Sequence, residues 1–151
     1  LRKKTQYLIM YEIYTDGSSL GNPGPSGWGV VSDSFKLSAG QPNSTNNRME
    51  MTAILRALEE SVKRDIQEVR IFTDSNYVKQ GINSWIIKWK QNGWMTSAGA
   101  PVKNKDLWIA IDETRKKLNV VEWRWVKAHN GDPRNEEADK LARESAKNIS
   151  V

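Results

Sequence analysis

The lengths of the connections between strand-patterned segments limit the fold of this chain more than any other feature. Residues 7–15 ("YLIMYEIYT") are largely apolar on both faces, as in a strand central to its sheet. Residues 27–33 and 35–40 read as two further strands with "SDS" as the turn between them. Connections this short join antiparallel neighbours, so the three form a meander. The next two strands, 68–73 ("EVRIFT") and 120–126 ("VVEWRWV"), each follow helix-patterned segments, at 47–63 and 104–118. Helices between strands imply parallel pairing through crossovers. The expected fold is therefore α/β: a five-stranded mixed sheet, three strands antiparallel and two parallel, flanked by helices. In it the first strand pairs with the meander on one side and a parallel strand on the other. A last helix starts just after Pro133 and carries a small, mostly apolar stripe at Ala138, Leu141, Ala142 and Ala146.

Residues 1–151 fit a single domain, with no repeat or linker. The chain has no cysteine, which excludes disulfides and thiolate metal sites and suits a reducing compartment; a cytoplasmic location is expected. The early apolar run "YLIMY" is broken by Glu12, and neither a signal peptide nor a membrane span is expected. Net charge is +5, and its distribution says more than its size. Residues 75–105 hold five lysines, no acid, and Trp85, Trp89 and Trp94. Basic charge interleaved with aromatics is a nucleic-acid pattern. A helix that buries its tryptophans and solvates its lysines fits the same residues.

The stretch "IYTDGSSLGNPGPSGWG" (13–29) packs five glycines and two prolines after the first strand. Pro23 and Pro25 lack N–H donors, no Gly-Lys-Ser/Thr follows, and the next segment is a strand, so it is a poor phosphate loop. The glycines instead let a compact turn pass close to something, with Asp16 held at a strand end. Asp74 also ends a strand, in "IFTDSN", and Glu50 opens the helix connecting the two. Singly, Asp74 reads as a helix N-cap and Glu50 as the partner of Asn47 in a capping box. Together they set three acids around one strand edge, where like charges repel unless a cation intervenes. Asp139, on the last helix, reads singly as an ion-pair partner of Arg143 at i+4. His129, the only histidine, stands in "KAHNGDP" just before that helix.

The segments "TDGSSLGNPG", "TNNRME", "TDSNYV", "GWMT" with "PVKN" and "DLW", and "WVKAHNG" with "NEEADKLA" resemble type 1 ribonuclease H of the bacterial kind, in order and spacing over nearly the whole chain. The resemblance implies an endoribonuclease that cuts the RNA strand of RNA–DNA hybrids and leaves 5′-phosphate and 3′-hydroxyl ends. It implies Asp16, Glu50, Asp74 and Asp139 as catalytic carboxylates and His129 as a loop histidine that assists turnover. Two Mg²⁺ ions with substrate are expected, Mn²⁺ being able to substitute: Asp16 bridging both, Glu50 and Asp74 completing one shell, Asp139 the other. Asn22, Asn46 and Asn47 match contacts to sugars and base edges, and Thr45 a contact to DNA phosphate. Asn76 stands where some relatives have glutamine. Trp85 matches a tryptophan along the DNA strand, and Lys88 lies in the region, 79–103, that resembles a basic substrate handle. The family implies a hybrid-binding monomer with no obligate protein partner. Three residues or stretches depart from the pattern: neutral "SAGAP" (97–101) where some relatives have lysines, Ala128 for a usual glycine, and Ser19 for cysteine or alanine.

Overall fold

The structure, a computed structural model, describes residues 10–128 and 131–150. Five strands form one sheet in the order β3-β2-β1-β4-β5. They are β1 (Tyr11–Ser19), β2 (Gly24–Val31), β3 (Lys36–Ser44), β4 (Glu68–Thr73) and β5 (Val120–Trp125). The pairs β1–β2 and β2–β3 are antiparallel, and β1–β4 and β4–β5 are parallel, as the connection lengths require. The helices are α1 (Asn46–Lys63), α2 (Asn76–Gln80), α3 (Ile86–Gln91), α4 (Lys105–Arg115) and α5 (Pro133–Ser150). A single π-helical turn, Gly81–Trp85, joins α2 to α3. No described helix is long and apolar enough to cross a membrane.

Alternation along β1 splits the core in two. Ile13, with Val30, Val69 and Ile71, faces the layer of α1 and α4, where Met51, Ile54, Leu58, Trp108 and Ile111 are fully buried. Tyr14, with Val31, faces α5 and meets Ala138 and Leu141. Its ring stacks on Phe72 with centroids 4.1 Å apart. The stripe expected on the last helix is buried as Ala138, Ala142 and Ala146. Those alanines let α5 lie flat on β2. A Cβ on Gly27 would fall 2.3 Å from the Ala142 carbonyl oxygen, and one on Gly29 would fall 2.6 Å from that of Ala138.

Two expectations change. β1 runs through Asp16 and Gly17 to Ser19, so the turn shrinks to the residues between Ser19 and Gly24. Asp16 is thus paired inside a strand, opposite Gly29, rather than placed at its end. β3 likewise extends to Ser44, beyond the expected residue 40. The physical reason is shared: backbone pairing continues through residues of turn-like composition when a partner strand is in register on one side.

Candidate active site

The acids are brought together by where the helices touch the sheet. Gly17 points away from α5, and a Cβ there would lie 2.4 Å from the Glu50 amide nitrogen, so the start of α1 rests on the β1 backbone itself. Thr45 caps that helix: its backbone is extended (φ −119°, ψ 162°) and its Oγ1 accepts from the Arg48 N–H at 3.2 Å. Asn22 Oδ1 accepts from the Asn46 N–H at 3.0 Å, tying the β1–β2 turn to the same helix end. The expected Asn47–Glu50 capping box is therefore not formed. Asn47 is already helical, two residues too late to cap, and Glu50 is left for the site. On the parallel neighbour β4, Asp74 follows the last strand residue, Thr73. The cap of α2 is Ser75, whose Oγ accepts from the Val78 N–H, so Asp74 does not serve as the N-cap.

One carboxylate oxygen from each of Asp16, Glu50 and Asp74 lies within 4.8 Å of the others. Asp16 and Glu50 are buried, and Asp74 is half-buried. Asp16 Oδ1 accepts from the Gly17 N–H at 2.8 Å. Burial, reinforced by the charges of Asp74 and Asp139, outweighs that hydrogen bond and pushes the Asp16 carboxyl up to about 7. Burial, then the charges of Asp16 and Asp74, holds Glu50 well above the usual carboxylate range. Glu50 Oε1 is buried with no hydrogen-bond partner. A buried carboxylate oxygen left unpartnered among other acids is costly unless a cation serves it. The donors are all hard oxygens, the set a small divalent cation prefers, so these residues fit Mg²⁺ or Mn²⁺.

Asp139 comes from α5 in the turn that begins at Ala138, over Gly29, the β-partner of Asp16. It is near enough for its charge to act on Asp16. It is not among the three converging oxygens, and Arg143 Nε donates to its Oδ2 at 2.9 Å. The ion pair read from the i+4 spacing and the approach to the sheet end therefore both occur. His129 lies outside the described residues.

The other expected contacts fall in three places. Asn22, Thr45, Asn46 and Asn47 gather at the start of α1, with Asn22 and Asn46 exposed. Asn76, exposed, opens α2 on the far side of Asp74. Trp85 and Lys88 line a groove of about 520 Å³ with Trp89, Asn92 and Thr96, and none of the four acids borders it. Trp89 contacts the rings of Trp85, Trp94 and the fully buried Trp108, while Lys88 is exposed. The tryptophans pack on one another and on Trp108 while Lys88 is solvated, as the packing reading of this segment requires.

Sequence reasoning did not foresee a clamp at the start of α5. Asp132 Oδ1 accepts from the Arg134 N–H at 2.8 Å, the Tyr14 hydroxyl donates to Asp132 Oδ2 at 3.1 Å, and Arg134 reaches Tyr14 Oη and Glu12. The "DP" pair before the helix, an acid followed by proline at the first helical position, was the available signal.

Acids converging where the central strands of a mixed sheet meet their helices, in the strand order 3-2-1-4-5, define the ribonuclease H-like class of α/β enzyme. The chain belongs to the RNase H family, which it matches over residues 10–147. It is 53% identical over 137 residues to a ribonuclease H of Brucella anthropi, covering 88% of this chain and 87% of that protein. It is also 53% identical over 135 residues to a ribonuclease H of Polaromonas, covering 86% of this chain and 84% of that one. Among solved structures it is similar to a type 1 RNase H with the type 2 active-site motif. There the TM-score is 0.78 at 28% identity, covering 95% of this chain and 76% of that one. The expected family and fold class are borne out, and the chain is a hydrolase of the ribonuclease H kind.

Proposed function

We propose that this chain is an endoribonuclease that hydrolyses the RNA strand of RNA–DNA hybrids with two divalent metal ions, leaving 5′-phosphate and 3′-hydroxyl ends. The observation that carries the reading is the Asp16–Glu50–Asp74 set with its buried, unpartnered Glu50 oxygen. Asp16, Glu50 and Asp74 would hold one Mg²⁺, and Asp16 with Asp139 the other. Ions held in this way activate water and stabilise the oxygen that leaves phosphorus. The residues do the rest. Asp16 is fixed by the Gly17 N–H, so its carboxylate is oriented before any ligand arrives. Glu50, seated by the α1–β1 contact, excludes water from the inner side of the set. His129 carries the proton that the departing 3′-oxygen needs.

Recognition of the hybrid would use the exposed amides of Asn22 and Asn46, with Asn47 and Asn76, against the minor-groove 2′-hydroxyls that only RNA has. Thr45 would meet a phosphate of the DNA strand, and Trp85 and Lys88 would extend the contact along that strand. The test is cleavage of a labelled hybrid with Mg²⁺, with and without EDTA, beside RNA duplex and DNA duplex controls. The expected result is cutting of the hybrid's RNA strand alone, abolished by EDTA. Equal cutting of either duplex, or indifference to EDTA, would overturn the reading.

A further inference from the structure

Asp139 already has a cation in this structure. Arg143 Nε donates to its Oδ2 at 2.9 Å across one helical turn. The converging oxygens of Asp16, Glu50 and Asp74 do not extend to Asp139. The two ends of the ion pair differ in setting: the Asp139 side chain is 17% exposed and that of Arg143 is 48% exposed. Arg143 can therefore leave through solvent by a change of rotamer, while Asp139 stays against the sheet. A guanidinium remains charged at every working pH, so loss of the arginine's proton does not open this pair. Exchange for a stronger cation does, because an i,i+4 pair with one exposed partner is weak. Arg143 is also close enough to act on the charge of Asp16, so its field reaches the shared edge of the site.

We infer that Arg143 is the resident counter-ion of Asp139, holding that carboxylate apart from the Asp16–Glu50–Asp74 set until a second divalent ion displaces it, so that the two subsites fill in order. The inference rests on the two-ion reading above and adds to it a positioning residue that sets the metal demand. Removing the guanidinium frees Asp139 and takes a positive charge from beside the second subsite. Both effects favour a second ion.

The test is a calorimetric titration of Mn²⁺ into the metal-free full chain, for the parent and for Arg143→Gln, Arg143→Lys and Asp139→Asn. The parent should show a tighter and a weaker binding phase. Arg143→Gln should move the weaker phase to about three- to tenfold lower concentration and leave the tighter one in place. Arg143→Lys, which keeps the charge, should stay near the parent, which a purely structural role of the arginine would not require. Metal-free melting temperatures within about 2 °C of the parent would show that the variants fold. A weaker phase unmoved by Arg143→Gln, or seen in neither protein, overturns the inference. Asp139→Asn keeps the two readings separable. Loss of its weaker phase with no effect of Arg143→Gln sinks the counter-ion role alone. Two phases at parental affinity in Asp139→Asn sink the placement of Asp139 at an ion.

Discussion

Asp16 gains a proton on folding, and the sign of that gain is testable. Its folded carboxyl sits at about 7 against 3.8 unfolded, so between these values the native state binds more protons than the unfolded chain. Stability from this group is complete below about pH 4 and is lost as pH rises through 7. Asn at this position cannot ionise. Asp16→Asn should therefore abolish cleavage and yet leave the metal-free protein at least as stable at pH 8. Its advantage over the parent should grow by about 2–3 kcal/mol from pH 5 to pH 8. Urea unfolding in EDTA at the two pH values measures this, and an advantage that shrinks toward pH 8 would contradict it. Comparing the two proteins cancels the acids that act in the opposite direction. One is Asp112, whose burial is outweighed by Lys90 and Arg115, which hold it low. The meeting of the three acids was legible from residue type and position, because Asp16 lies in, and Asp74 directly after, parallel neighbouring strands and Glu50 lies near the start of the helix that connects them. The order within the set was not, since it depends on which oxygen is buried and which finds a partner. Nothing in the letters of Glu50 says that Thr45 would take the cap and leave Oε1 alone.

At the scale of elements, the site depends on two helices lying against bare backbone. Gly17 admits the start of α1 on one face of the sheet, and Gly27 and Gly29 admit α5 on the other. The glycine-rich stretch is thus explained largely by helix contact, and only its middle by turning. That is why β1 was read too short: glycine and serine look like turn residues, and their role appears only when the helices are in place. Element order, strand pairing and the alanine stripe were all legible, because periodicity and connection length encode them locally. Gly29→Ala tests the contact. The new methyl would fall 2.6 Å from the Ala138 carbonyl oxygen, a backbone atom that can yield only if α5 shifts. Overpacking of this kind costs about 1–3 kcal/mol, so melting should fall by several degrees. The shift carries Asp139, one residue on, so kcat should fall by about tenfold or more while KM for the hybrid changes little. A variant that melts lower but keeps the parental kcat would show that α5 can move without moving the acid.

Over the whole molecule, the acid set and the basic, tryptophan-rich segment occupy different places. The carboxylates lie where β1, β4, α1 and α5 meet, whereas Lys79, Lys88, Lys90, Trp85 and Trp89 stand on an arm built from α2, the π-helical turn and α3. The arm is tied to the body through aromatic packing, Tyr77 and Trp89 of the arm against Trp108 of α4. A second tie is the Lys90–Asp112 pair between α3 and α4, with Lys90 Nζ to Asp112 Oδ2 at 3.1 Å. Polyanion affinity in such a molecule comes from discrete phosphate contacts and is set by salt. On the proposed reading Lys88, exposed beside Trp85 on the groove of the arm, is one such contact, so Lys88→Glu should weaken hybrid binding at every sequence tested. Reversing the charge removes one phosphate contact, so the slope of log K against log salt should fall in magnitude by about 1. Lys63→Glu, exposed in the last turn of α1, is the control. It lies about 25 Å from the helix start where Thr45 and Asn46 gather, and its slope should match the parent's. Fluorescence anisotropy of a labelled hybrid in EDTA, across a salt series, separates binding from cutting. If both variants bind like the parent at low salt, the arm does not grip the hybrid. If both weaken equally, net charge matters rather than the arm. Only a loss confined to Lys88→Glu supports the groove beside Trp85 as a contact of the hybrid.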